Sequence, residues 1–219
     1  MKVKKSLLIL LSSFVVISMC SCSGPKPSEV EKTFLEGIKK QDEKVVTDVY
    51  ALGKLDILGA SYKKATSKNE EGDKEDKDPK MDKLFNEQLL PKMLDFEYET
   101  SNEKIDGNKA TVDVNIKTYR VGDTISSFFG EYMSQAFALA FLDVSEDRLD
   151  ALAVSILSVK IADFKEKTFE KTVTLQMSKK DGKWIVNEIE EGGDFIDAIS
   201  GGLASSFKNL ESTFAAFEA

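Results

Sequence analysis

The chain has 219 residues, 42% of them hydrophobic and 31% charged, with no histidine, two cysteines and a formal charge of −8. An acidic chain without clustered Lys and Arg opposes phosphate polymers, so nucleic acid is not an expected partner. The lack of histidine removes the usual neutral-pH proton carrier and the commonest metal ligand, so no Ser-His or Cys-His pair and no metal or other cofactor is expected.

Lys2, Lys4 and Lys5 open the chain, followed by an apolar run from Leu7 to Met19 and then Cys20-Ser21-Cys22-Ser23-Gly24. Basic, greasy and small-residue segments in that order predict an export signal over residues 1–21. Roughly 14 apolar or small residues are too few to cross a hydrocarbon core, which needs about 20 in a helix. The end of the run resembles the lipobox of bacterial lipoproteins, and Cys22 fits it better than Cys20 because Ser21 is small where Met19 is bulky. That resemblance implies cleavage before Cys22, a diacylglycerol thioether on its sulfur, and a protein lipid-anchored on the extracytoplasmic face of the cell membrane. Two or three acyl chains hold a protein firmly where one binds marginally. Loss of residues 1–21 removes three lysines and no acids, which takes the charge from −8 to −11. No disulfide framework is available, so an apolar core must stabilise a single domain over 27–219, behind a tether at 22–26.

Pro27 and Ser28 open a first helix, with Ser28 and Glu31 spaced as a capping box and Val30, Phe34 and Ile38 on one apolar face. Asp42 caps a second short helix carrying Val45, Val46, Val49 and Tyr50, and the two predict an antiparallel pair. From about Ala60 to Lys80 hardly an apolar side chain occurs, which predicts a disordered, charged surface insertion. Its acids lack the alternation, glycine and terminal glutamate of a calcium loop.

Leu84, Leu89, Leu90 and Met93 predict another short helix. Phe96 and Tyr98 then alternate with Glu97 and Glu99, and Ala110, Val112, Val114 and Ile116 alternate beyond Asp106-Gly107-Asn108, the pattern of a β-hairpin. Between about Asp123 and Phe164 the period turns helical, through Ile125, Phe128, Phe129, Tyr132, Met133, Phe137 and Phe141, a turn and cap at Asp143 and Ser145, and a second helix with Leu149, Leu152, Ile156 and Leu157. A second hairpin turns at Asp181-Gly182, between Phe169, Val173, Leu175, Met177 and Trp184, Ile185, Val186. Asp194 is placed to cap a last helix from Phe195 to Phe217, with a kink or a tight contact expected at Gly201-Gly202.

These elements predict an α+β fold: a curved antiparallel sheet of two β-hairpins packed against helices, with an inserted helical hairpin and a C-terminal helix. Helices first, then hairpins ending in Lys179-Lys180-Asp181-Gly182-Lys183-Trp184-Ile185-Val186, resemble the nuclear transport factor-like (cystatin-like) α+β roll. The lipobox, the opening Pro27-Ser28-Glu29-Val30 helix and the Gly201-Gly202-Leu203 of the terminal helix are similar to a family of Firmicutes surface lipoproteins. The resemblance implies no active site.

The expected function is a non-enzymatic module that binds a small ligand or another envelope protein. Phe128, Phe129, Tyr132, Phe137 and Phe141 would enclose an apolar pocket or present a patch, or else simply fill the core. The alternative is an enzyme with a carboxylate/tyrosine site in the concave face, drawn from Asp113, Glu97, Tyr98 and Tyr119.

Overall fold

A computed structural model describes residues 24–52, 54–57, 60–63, 79–142 and 144–217. The export signal, Cys22 and residues 64–78 of the charged insertion lie outside them.

Helix α1 (Pro27–Lys39) and helix α2 (Glu43–Val49) form the opening pair. The first cap sits one residue earlier than the Ser28–Glu31 spacing predicts. Pro27 takes the first helical position, where its missing N–H costs nothing, so Lys26 is the cap residue and Glu29 reaches back to its backbone N–H at 2.9 Å. Ser28 instead donates its backbone N–H to Glu103 at 2.8 Å. Asp42 caps α2 as expected, accepting from the Val45 N–H at 3.0 Å.

Two short strands, β1 (Lys54–Ile57) and β2 (Ala60–Lys63), pair antiparallel. The predicted insertion therefore starts too early at Ala60: buried Leu55 and Ile57 anchor a ribbon that carries its partner through Lys63. At the other end Pro79 and Lys80 already belong to α3 (Pro79–Leu84). This helix runs through a π-turn at Phe85–Leu89 into α4 (Leu90–Leu94). Pro91 has no N–H to donate, and the wide turn falls immediately before it.

The main sheet is open and antiparallel, in the order β3 (Glu97–Asp106), β4 (Lys109–Thr118), β5 (Phe169–Lys180), β6 (Lys183–Val186). Strict alternation puts Ala110, Val112, Val114 and Ile116 on the buried face of β4, opposite Val173, Leu175 and Met177 of β5. Full burial of an aliphatic side chain of this size contributes roughly 1.5–3 kcal/mol. Across that face lie α1 and α7 (Asp194–Ile199), with Phe34 between the rings of Tyr50 and Phe195 at 5.8 and 5.9 Å. Trimming Phe34 to Ala would leave a cavity costing about 3–5 kcal/mol.

The last strand of the β4–β5 pair begins where the first ends, Thr118 opposite Phe169, yet the chain does not turn there. It makes an excursion through α5 (Val121–Leu139), a 3-10 turn (Ala140–Leu142) and α6 (Glu146–Ala162). Ser145 has the extended backbone of a cap residue, but its side chain makes no capping hydrogen bond. The base of this hairpin builds a second core, in which Val121, Ile125, Phe128, Ile156, Leu157 and Ile161 meet Leu84, Leu89, Met93 and Leu203.

The terminal helix is divided rather than kinked. Gly201 and Gly202 have φ of 63° and 84°, separating α7 from α8 (Leu203–Phe217). Gly193, not Asp194, is the cap residue of α7, and Asp194 pairs with Lys171 at 2.8 Å. Asp197 bridges the break: its carboxylate accepts from the Ser205 N–H at 2.7 Å and from Lys171 Nζ at 2.9 Å, serving the unpaired donors of the first turn of α8.

Candidate functional site

The aromatic stripe of α5 splits in two. Phe128 is 8% exposed and packs in the second core, with Phe129 edge-on at 5.3 Å and Tyr132 stacked at 5.9 Å, both partly buried. One turn further, α5 has outrun the elements that cover its base. Met133 is 52% exposed, Phe137 69%, Phe141 78% and Leu142 69%. Phe137 and Phe141 meet edge to face, 5.6 Å between centroids at 88°, so the exposed end carries an aromatic pair. Of the three arrangements the pattern allowed, Phe128 fills core, with Phe129 and Tyr132 packed against it, while Phe137 and Phe141 lie on the surface. Spacing by four placed them on one side of a helix, but which turn of that side loses its cover depends on how far α8 and α6 run beside it.

The charges in the sequence at this end are mostly acidic. Glu146, Asp147 and Asp150 are exposed on the first turns of α6, directly after Phe141 and Leu142. Between Ser134 and Val159 the sequence holds no lysine and one arginine, Arg148. Lys160 is engaged further down, with Glu131 at 2.9 Å and Ser127 at 2.9 Å.

Of the residues named for the enzyme alternative, Glu97 and Tyr119 border one depression and share Lys167, whereas Asp113 has other partners. Asp113 accepts from Thr174 at 2.6 Å and Asn102 at 3.0 Å, and these hydrogen bonds hold its carboxyl below the usual range. Tyr119 stacks on Phe164 and reaches Asp95 at 3.4 Å. Glu97 pairs with Lys167 at 3.1 Å, and the Tyr98 hydroxyl donates to Glu36 at 3.1 Å.

Among the described residues the most deeply buried carboxylate is Glu31, which the spacing assigned to a capping box. It shares the inner side of α1 with Leu35 and Ile38, and accepts from Thr100 Oγ1 at 2.9 Å while its other oxygen has no partner. Burial pushes its pKa up to about 7 despite the Thr100 hydrogen bond and nearby Lys32. The i, i+4, i+7 relation of Glu31 to Leu35 and Ile38 was the available signal; reading the helix from the row Val30, Phe34 and Ile38 hid it. One surface depression of about 420 Å³ is bordered by Glu36, Lys39, Lys40, Leu94 and Asp95, and Glu31 does not line it. Among the described residues no group of three or more His, Cys, Asp or Glu is placed to hold a metal ion, and no helix is long and apolar enough to cross a membrane.

No family model matches the chain, and no curated protein matches it either. Among solved structures, a crystal structure of a candidate lipoprotein from Bacillus subtilis is similar at 13% identity and a TM-score of 0.40. The match covers 80% of this chain and 48% of the other, so the chain spans about half the length of that structure.

Proposed function

We propose that this protein is a lipid-anchored, non-enzymatic binding module on the extracytoplasmic face of the cell membrane, and that the end of the α5–α6 hairpin is its docking surface. The observation that carries the reading is the exposed, edge-to-face Phe137–Phe141 pair. Contiguous apolar surface on a folded domain costs solubility and marks sites where something else covers it. The anchor is supported by the order of Lys2 to Lys5, the apolar run and Ser21-Cys22. Relatedness to the Firmicutes surface lipoproteins and to the nuclear transport factor-like roll belongs to the same proposal, supported by the helical opening and the two Asp-Gly-type hairpins. The non-enzymatic reading is supported over a site built on Asp113 or Glu31, because Asp113 is bonded to Thr174 and Asn102 rather than to Tyr119, and Glu31 is enclosed beneath α1.

Two measurements test the proposal. Mass spectrometry of the mature N-terminal peptide should find residue 22 first and acylated, and Cys22→Ser should move the protein from the detergent to the aqueous phase. An apolar-surface dye should fluoresce with the intact domain and lose most of that signal in the F137S/F141S variant. An unmodified Cys22, or dye binding that ignores both phenylalanines, would overturn the corresponding half.

A further inference from the structure

The chemistry around the patch says more about its occupant than the patch alone. Resting on the docking reading, we infer that the end of the α5–α6 hairpin receives a cationic amphipathic segment of another protein, one apolar face seated on Met133, Phe137, Phe141 and Leu142 and its lysines or arginines against Glu146, Asp147 and Asp150. Apolar area supplies affinity without direction, and the charged rim decides which partners approach. Here the rim is acidic on the side facing the α6 turn, with Arg148 as the single opposing charge in that stretch of sequence.

The same rim disfavours the two other occupants of an apolar end. An anionic bilayer surface would be repelled by Glu146, Asp147 and Asp150, because membrane-seated amphipathic helices carry basic polar faces. A second copy meeting end to end would bring two acidic rims together on chains whose mature charge is −11, lowered from −8 by loss of the three leader lysines. The acids also complement the N-terminus of α6, which explains three carboxylates near a helix start but not the lack of lysine between Ser134 and Val159. A cationic helix satisfies both halves of the surface at once, with its apolar side chains at i, i+3, i+4 and i+7 over the Phe137–Phe141 row.

The test uses the full-length protein and two synthetic 18-residue amphipathic peptides with the same leucine and phenylalanine face, one with a lysine polar face and one with a glutamate polar face. The lysine peptide should bind at least about tenfold more tightly, a preference that shrinks as salt rises from 50 to 500 mM. F137S/F141S should reduce its binding at least about tenfold, and E146K/D147K/D150K should reverse the preference. Equal, phenylalanine-dependent binding of both peptides would overturn the charge assignment and leave the docking surface standing. Binding indifferent to F137S/F141S, or no binding of either peptide at 100 μM, would overturn both. Phenylalanine-dependent binding of phosphatidylglycerol vesicles by the Cys22→Ser protein, or its phenylalanine-dependent dimerisation in sedimentation equilibrium, would replace the cationic partner with a membrane or a second copy.

Discussion

The backbone N–H of Gly122 donates to the carbonyl of Gly201 at 3.0 Å, and this contact fixes where the helical hairpin leaves the sheet. A Cβ on Gly122 would run into the Gly202 carbonyl and the Ser206 hydroxyl, and one on Gly201 into the Tyr119 carbonyl. Helices α5 and α8 thus begin backbone against backbone, and both project from the same corner.

Gly122→Ala and Gly201→Ala should each lower stability by at least about 2 kcal/mol, the second also through its left-handed φ of 63°. Gly130→Ala, whose Cβ meets open space in the middle of α5, should be neutral or stabilising by up to about 1 kcal/mol. Urea unfolding of the three variants separates these outcomes.

Glu31 should make stability fall as pH rises. Its carboxyl is held up to about 7 by burial, against an ordinary value of 4.5, so between those values the folded state keeps a proton that the unfolded chain releases. Stability is highest at the acidic end of that window and lost toward neutrality, by up to about 2–3 kcal/mol. Glu31→Gln keeps an acceptor for Thr100 and removes the charge, so urea midpoints measured from pH 5 to 8 should flatten, with the variant more stable than the parent at pH 8.

Asp197 works with the opposite sign. Burial raises its pKa, but the Ser205 N–H and Lys171 outweigh that and hold the carboxyl below its usual value of 3.8. Its contribution is present above that value and is lost as pH falls below it. Asp197→Asn at pH 7 should cost about 2 kcal/mol, since it keeps the cap on α8 but leaves Lys171 with Asp194 alone. Thermal unfolding of the variant beside Asp194→Asn, an exposed partner whose loss should cost under about 1 kcal/mol, checks this.

Most of the architecture was legible because its elements have clean periods. The alternation of Ala110 to Ile116 and of Val173 to Met177 named both strands and their buried face, and four-residue spacing found α5 and α6. What escaped depends on contacts distant in sequence. Pro27 displaced the expected cap by one residue, and Leu55 and Ile57 sponsored a strand across a polar segment. The tight contact expected at Gly201-Gly202 is present, with the Tyr119 carbonyl and the Phe169 ring in the space side chains would need, and it comes with a break between helices. The stripe was visible as a line of aromatics, whereas its division into buried Phe128 and exposed Phe141 follows from where neighbouring helices stop.

That division predicts opposite costs along one helix. Phe128→Ala should destabilise by about 3–5 kcal/mol through the cavity it leaves in the second core. F137S/F141S should change stability by no more than about 0.5 kcal/mol, because those rings are already in water. Equal losses in chemical denaturation would show that the outer pair holds the fold rather than serving a partner.

Photo-crosslinking in intact cells, from a benzophenone side chain at position 141 and from a control at position 105, where Ile105 is 55% exposed, bears most directly on the docking surface. A discrete adduct with one envelope protein from position 141, absent from position 105 and lost on Phe137→Ser, is the predicted result. No adduct from position 141, or the same adducts from both positions, would contradict it.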